Sequence, residues 1–388
     1  MAKIIEKDNQ FVANTYARFP LEIVDGKGSI AKDSDGKEYI DLGTGIGVTA
    51  FGYCDEKWVT AVKGQLDKIQ HTSNLYYTKP CSDLAEMLCE KTGMKKVFFS
   101  NSGAEANECA IKTARKYAQD KKGEDYYKII TLNNSFHGRT ITTLSATGQD
   151  HFHKLFKPLT DGFLHANAND IESVKTLVDN NKICAIMIEC VQGEGGVIAL
   201  DDSFVKAVWE ICQNNDILLI VDEVQTGNGR TGELYAYMNY GITPDIVTTA
   251  KGLGGGLPIG ACLFNDKTQN VLGYGDHGST FGGNPVACAG AISIIERIDD
   301  KLLKEVKQKS KFIFDSLNGA DGIISVSGMG LMIGVETVKP VKEVLAYCMQ
   351  NGLLPLTAKT KLRLLPALNI PMELLEKAVE IIKQACKN

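Results

Sequence analysis

The most constraining stretch of this chain is Ile217-Leu218-Leu219-Ile220-Val221, a run of apolar residues with no polar alternation, ended by Asp222 and Glu223. A strand that is apolar at every position is buried on both faces, which is the condition of a strand inside a parallel sheet covered by helices. Similar short runs recur through the middle of the chain at Val97-Ser100, Lys128-Leu132, Ala185-Glu189, Ile246-Thr249 and Ala261-Phe264. Amphipathic stretches separate them. Phe204, Ala207, Val208, Ile211 and Cys212 fall at the spacing of a helix stripe that packs on a sheet, and Leu84, Met87 and Leu88 do the same earlier. The pattern predicts an α/β fold with a mainly parallel sheet. Beyond about residue 290, charged helices at Lys301 to Leu317 and Met372 to Lys387 surround short strands at Ile323-Val326 and Leu331-Val335, which predicts a smaller α/β lobe.

At 388 residues the chain exceeds what one core usually organises, and its 44% hydrophobic content suits a packed globular protein. A net charge of -5 gives no electrostatic reason to expect nucleic acid or an anionic membrane. Early charges at Lys3, Glu6, Lys7 and Asp8 leave no apolar run for a signal peptide, and no stretch is long enough for a membrane span, so a cytoplasmic location is expected. The 11 cysteines are scattered, without a CxxC pair, which suits reduced core thiols. His151-Phe152-His153 is the one close histidine pair, reads as a solvated loop, and no metal site is expected.

In an open parallel sheet, ligands sit beyond the carboxyl ends of the strands, and four segments follow such ends. Ser100-Asn101-Ser102-Gly103-Ala104-Glu105-Ala106-Asn107 opens a helix with small residues, leaving N–H groups available to an anion; read plainly, it is a turn capped by Ser102. Asp222 with Gln225 can hold a protonated heterocyclic nitrogen and donate to a neighbouring oxygen; otherwise Asp222 caps the next turn, or binds a metal as in a Walker B strand, a reading weakened by the lack of a GxxxxGK(S/T) phosphate loop. Lys251, in the glycine-rich Ala250-Lys251-Gly252-Leu253-Gly254-Gly255-Gly256, can act as a Schiff-base nucleophile if its pKa is lowered; otherwise it is a solvated loop lysine. Phe136 and Arg139, in Asn134-Ser135-Phe136-His137-Gly138-Arg139-Thr140, offer a flat ring and a carboxylate-binding fork, or a core residue and a surface ion pair. Arg363 lies in the apolar run Leu362-Arg363-Leu364-Leu365, where a buried arginine needs a partner unless an edge strand turns it to water.

Over nearly its whole length the chain resembles the class III aminotransferases of pyridoxal-phosphate fold type I. The motifs SNSGAEAN, FHGRT, QGEGG, LLIVDEVQTGNGRTG, AKGLGGGLPIGA and GSTFGGNPVACA occur in that family's order. The opening Asn14-Thr15-Tyr16-Ala17-Arg18-Phe19-Pro20 and the closing LRLLPAL are most similar to the acetylornithine branch. The resemblance implies a large domain with a mainly parallel seven-stranded sheet (46–288), and a small α/β domain from an N-terminal segment (1–45) and the C-terminal part (289–388). It implies pyridoxal 5'-phosphate as cofactor, held by Lys251, with Asp222 at the pyridine nitrogen, Gln225 near the phenolic oxygen, Phe136 on the ring, and Ser102, Gly103 and Ala104 at the phosphate. Thr280 would reach that phosphate from the partner subunit of a homodimer. Arg139 and Ser279 would bind the substrate's carboxylate end. Arg363 would hold the α-carboxylate of glutamate or 2-oxoglutarate, and Glu194 would pair with it when the amine donor, N-acetylornithine, is bound.

Two segments depart from the family pattern: Cys190 follows Glu189 where proline is usual, and Gly52-Tyr53-Cys54-Asp55-Glu56 replaces GHCHP. Ornithine, succinylornithine, succinyldiaminopimelate and 4-aminobutyrate remain alternative donors. A nicotinamide oxidoreductase would need a completed GxGxxG, which neither Gly43-Thr44-Gly45-Ile46-Gly47 nor Gly328-Met329-Gly330 supplies.

Overall fold

The structure, a computed structural model, describes residues 2–387. Its centre is a seven-stranded sheet in the order Lys96–Ser100, Gly260–Phe264, Ile246–Thr249, Leu218–Asp222, Ile183–Ile188, Lys128–Leu132, Phe163–Ala166. Gly260–Phe264 runs antiparallel to both neighbours, and every other adjacent pair is parallel. Six strands fall where the apolar runs place them. The seventh, Phe163–Ala166, gave no sequence signal because it is a four-residue edge strand, half-buried over most of its length and interrupted by His165.

The central strands are buried at every position, and the alternation of their side chains explains why. Leu218 and Ile220 pack into one core with Cys109, Ala110 and Ile111 of the helix Gly103–Lys122. Leu219 and Val221 point to the opposite core, with Phe204, Val205, Val208 and Cys212 of the helix Asp202–Asn215. Successive side chains of one strand therefore feed two hydrophobic layers, and both layers need apolar residues.

Two further sheets use distant parts of the chain. Ile23–Lys27, Ile30–Asp33 and Glu38–Asp41 form a meander whose last strand pairs with Leu353–Leu354. Ile323–Met329, Met332–Thr337, Lys361–Leu364 and Leu356–Ala358 form an antiparallel sheet contacted by the helices Asp300–Leu317 and Val341–Gln350, with Met372–Cys386 packed on both helices. Arg363 sits on an inner strand of that sheet, opposite Gly334 on one side and Leu356 on the other, so the edge-strand alternative does not hold.

The arrangement brings Ser100, Ile188, Asp222 and Thr249, the last residues of four parallel strands, to one edge of the central sheet. Ile220 is fully buried between layers. Ile220→Ala is expected to cost about 2–5 kcal/mol, read as a lowered midpoint in thermal unfolding; an unchanged midpoint would contradict the two-layer packing.

Candidate active site

A cavity of about 610 Å³ opens at that sheet edge. One end is the start of the helix Gly103–Lys122. Ser102 caps it, accepting from the Glu105 N–H at 3.2 Å, while the Glu105 carboxylate reaches back to the Asn101 N–H at 2.7 Å. This reciprocal bonding fixes the first turn and leaves the N–H groups of Gly103 and Ala104, which no helix carbonyl can serve, at the cavity wall. A side chain at Gly103 would stand 2.6 Å from Val224 Cγ1, so only glycine lets the helix begin this close to the turn after Asp222. The result is an anion site of the kind a phosphate monoester occupies.

Across the cavity, Asp222 is buried and held by three donors. Its Oδ2 accepts from Asn107 Nδ2 at 2.8 Å and lies 2.8 Å from His137 Nδ1, and its Oδ1 accepts from the Val224 N–H at 3.0 Å. The carboxylate thus both caps the turn and faces the cavity. Thr248 Oγ1 donates to Asn107 Oδ1 at 2.6 Å and fixes the amide's orientation. Burial opposes the charged imidazolium of His137, yet the hydrogen bond and charge of Asp222 outweigh it and raise its pKa. His137 Nε2 is buried without a partner among the described residues. The other strand-end acid, Glu223, serves the fold instead, accepting from Thr226 Oγ1 at 2.5 Å and from the Tyr237 N–H at 2.9 Å. Burial pushes its pKa up to about 7.

Lys251 follows the next strand at φ +46°, a conformation uncommon for a residue with a side chain. Asn228 secures the turn by donating to Thr249 Oγ1 at 3.1 Å and the Ala250 carbonyl at 3.2 Å, and Trp58 Nε1 donates to the Gly254 carbonyl at 2.9 Å. Strain held in place by surrounding bonds points to function. The Lys251 amine makes no hydrogen bond or ion pair among the described residues and lines the cavity. Burial, reinforced by the Arg363 charge and opposed by Glu194, Asp222 and Glu189, lowers its pKa. A lysine shifted toward the free amine is a nucleophile and a proton carrier.

Ser102, Phe136, Arg139 and Gln225 also line this cavity. The Arg139 guanidinium stacks over Phe136 at 5.5 Å and closer, at 4.1 Å, over Phe152. Phe152 is thus an aromatic support for Arg139 that its solvated-looking neighbours concealed, and His153 bonds the Leu144 carbonyl rather than standing free. Arg363 is buried, with Nη1 2.6 Å from Glu194 Oε1 and 3.3 Å from Gln225 Oε1, while its Nε has no partner among the described residues. Gln225 therefore contacts Arg363 directly, a bond that the sequence did not suggest. Glu194 keeps its charge: burial disfavours it, but Arg363 outweighs burial and lowers its pKa. Ser279 lies one bond away, its Oγ accepting from Asn101 at 3.2 Å. Thr280 does not line the cavity; it is exposed beside Tyr76 and Tyr77 in a separate pocket.

A flat heterocyclic phosphate fits these donors. The helix start suits its phosphate, Asp222 suits a ring N–H, Phe136 and Val224 supply apolar walls, and Lys251 suits an aldehyde carbon. Sequence reading missed Asn107, Thr248 and Glu189 as parts of the site. Asn107 stood inside a quoted motif, but its partner, Asp222, is over a hundred residues away and no local spacing announces the pair.

The family model "Aminotransferase class-III" matches residues 11–386. An acetylornithine aminotransferase of Haemophilus ducreyi is 51% identical over 98% of this chain and 98% of its own, and that of Methanocaldococcus jannaschii is 43% identical over 98% and 97%. Among solved structures, the ornithine aminotransferase of Toxoplasma gondii, described with partial occupancy of PLP at its active site, matches with TM-score 0.94 and 32% identity, covering 98% of this chain and 93% of that one. The N-acetylornithine aminotransferase of Stenotrophomonas maltophilia matches with TM-score 0.85 and 34% identity, covering 98% of each chain.

Glu189 is buried beside this site, and burial raises its pKa from 4.5 to about 8 although His137 opposes the shift. Folding therefore takes up a proton at this residue. Its contribution to stability is complete below the unfolded value of 4.5 and is lost as pH rises toward about 8. In Glu189→Gln the thermal midpoint should fall less over that window than in the wild type; parallel pH profiles would refute the assignment.

Proposed function

The chain belongs to the class III aminotransferases, and from that premise we propose that it transfers the δ-amino group of N-acetylornithine to 2-oxoglutarate, giving N-acetylglutamate semialdehyde and glutamate. The observation that carries the chemistry is the free-amine-leaning Lys251 in one cavity with a helix N-terminus and a triply held Asp222. The near-full-length relatives named for acetylornithine support the choice of donor.

Pyridoxal phosphate, when bound, supplies an electron sink that accepts the charge left on substrate carbon as its proton departs. The protein's own residues do the rest. The Gly103 and Ala104 N–H groups would hold the cofactor's phosphate, and Asp222 would stabilise positive charge on its ring nitrogen. The Lys251 amine, lining the cavity with its pKa lowered, would hold the cofactor at its aldehyde carbon and, when free, would carry the proton to and from substrate carbon. Arg139, stacked on Phe136 and Phe152, binds the carboxylate at the far end of the substrate.

One pocket must serve two unlike substrates in turn. The donor's reacting carbon bears no carboxylate, and for that half-reaction the Arg363–Glu194 pair stays closed, satisfying a buried charge. The acceptor carries a carboxylate next to its reacting carbon. Glu194 withdraws and that group takes its place on Arg363.

A homodimer, in the cytoplasm, completes this reading. Tyr76 and Tyr77 are exposed beside Thr280, and their chain neighbours Leu75 and Phe281 are exposed as well, which suits a covered surface. A second copy seated there would bring Thr280 toward the other subunit's phosphate.

The test is a spectral titration of purified protein with N-acetylornithine. The cofactor's visible band should convert to that of the amino form, and 2-oxoglutarate should restore it. Lys251→Ala should lower turnover by at least about 10²–10⁴-fold, the usual contribution of a positioned proton carrier. A band that answers only another ω-amine would remove the acetylated donor and leave the chemistry; no band with added pyridoxal phosphate would remove both.

A further inference from the structure

The pair Arg363–Glu194 is asymmetric. The Arg363 side chain is 4% exposed and Glu194 31%, so the acid is the less enclosed member. The carboxylate has somewhere to go. Glu194 also lines a second cavity, of about 580 Å³, together with Asn134, Phe152 and Lys359. Lys359 is exposed, donates from Nζ to Asn134 Oδ1, and has no carboxylate partner among the described residues. Asn134 in turn packs against the loop that carries the acid, since a side chain added at Gly195 would stand 2.6 Å from the Asn134 carbonyl.

Two backbone observations bear on this corner. Lys359 has φ +53° and Asn134 φ +67°, so two residues with side chains hold left-handed conformations and bond to each other on one cavity wall. For lysine that conformation carries strain, and strain at a cavity persists where the position of the side chain matters. An ammonium without a carboxylate partner among the described residues, on the same cavity as the Glu194 carboxylate, lowers the energy of any state in which that carboxylate turns toward it.

Resting on the two-substrate reading above, we propose that Lys359 is a positioning residue that receives Glu194 when the acid leaves Arg363, so that it stabilises the open state the 2-oxo acid requires. Lys359 touches neither substrate. Its effect is confined to the equilibrium between the closed pair, suited to the amine donor, and the open pair, suited to the acceptor. A group that favours only the open state strengthens only the ligand that binds that state.

The experiment separates the half-reactions in the holoenzyme by single-turnover absorbance, with N-acetylornithine for one and 2-oxoglutarate against the amino form for the other. In Lys359→Gln the apparent Kd for 2-oxoglutarate should rise about threefold, the scale of a partly exposed ion pair, and Lys359→Arg should restore it. The donor half-reaction should keep its affinity or tighten slightly. In a Glu194→Gln background the Lys359→Gln change should have no effect, because the carboxylate it receives is gone. A loss that persists in that background would assign Lys359 to the substrate itself and overturn the proposal, as would equal losses in both half-reactions or none in either. If the wild type fails to react with N-acetylornithine or 2-oxoglutarate, the parent reading fails instead.

Discussion

The buried carboxylate of Asp222 is the constraint around which the site is built. A charge at the end of a fully apolar strand costs several kcal/mol unless it is matched by hydrogen bonds, and the fold supplies those from three directions. Asn107 comes from the helix that covers the sheet, His137 from the loop after another strand, and the Val224 N–H from the turn that follows Asp222 itself. Thr248, on the adjacent strand, sets the amide of Asn107. Each of these elements must sit in register for the charge to be tolerated. The same register places the helix start and Lys251 on the cavity that Asp222 faces.

The electrostatics on either side of that point differ in purpose. On one side, Glu189 and Glu223 are buried acids whose pKa values burial raises. On the other, Glu194 stays ionised against Arg363 while Lys251 is drawn toward its neutral form. Neighbouring acids are thus shifted in opposite directions because their partners differ.

Much of this was legible in the chain itself. Strands buried on both faces announce themselves by unbroken apolar runs, and residues that follow such runs fall at the ligand edge, which located Asp222, Lys251 and the helix start. What stayed hidden depends on contacts between distant segments. Phe163–Ala166 is too short and too polar at its centre to stand out, and Phe152 looked solvated because its partner, Arg139, lies in another loop. The bond from Arg363 to Gln225 joins a strand of the small sheet to the turn after Asp222 and has no counterpart in local spacing.

The meander near the start of the chain is closed by a strand made very late. Ile40 pairs with Leu353, and Lys37 donates to the Gln350 carbonyl at 2.8 Å across more than three hundred residues. During synthesis, at about 5–20 residues per second, the early strands wait roughly 15–60 s for that partner. The central sheet, whose strands lie between residues 96 and 264, leaves the ribosome within that interval. The strands of the large sheet are thus all present in the nascent chain before the strand bearing Arg363, which follows Leu353, is made, so the site's two walls become available at different times.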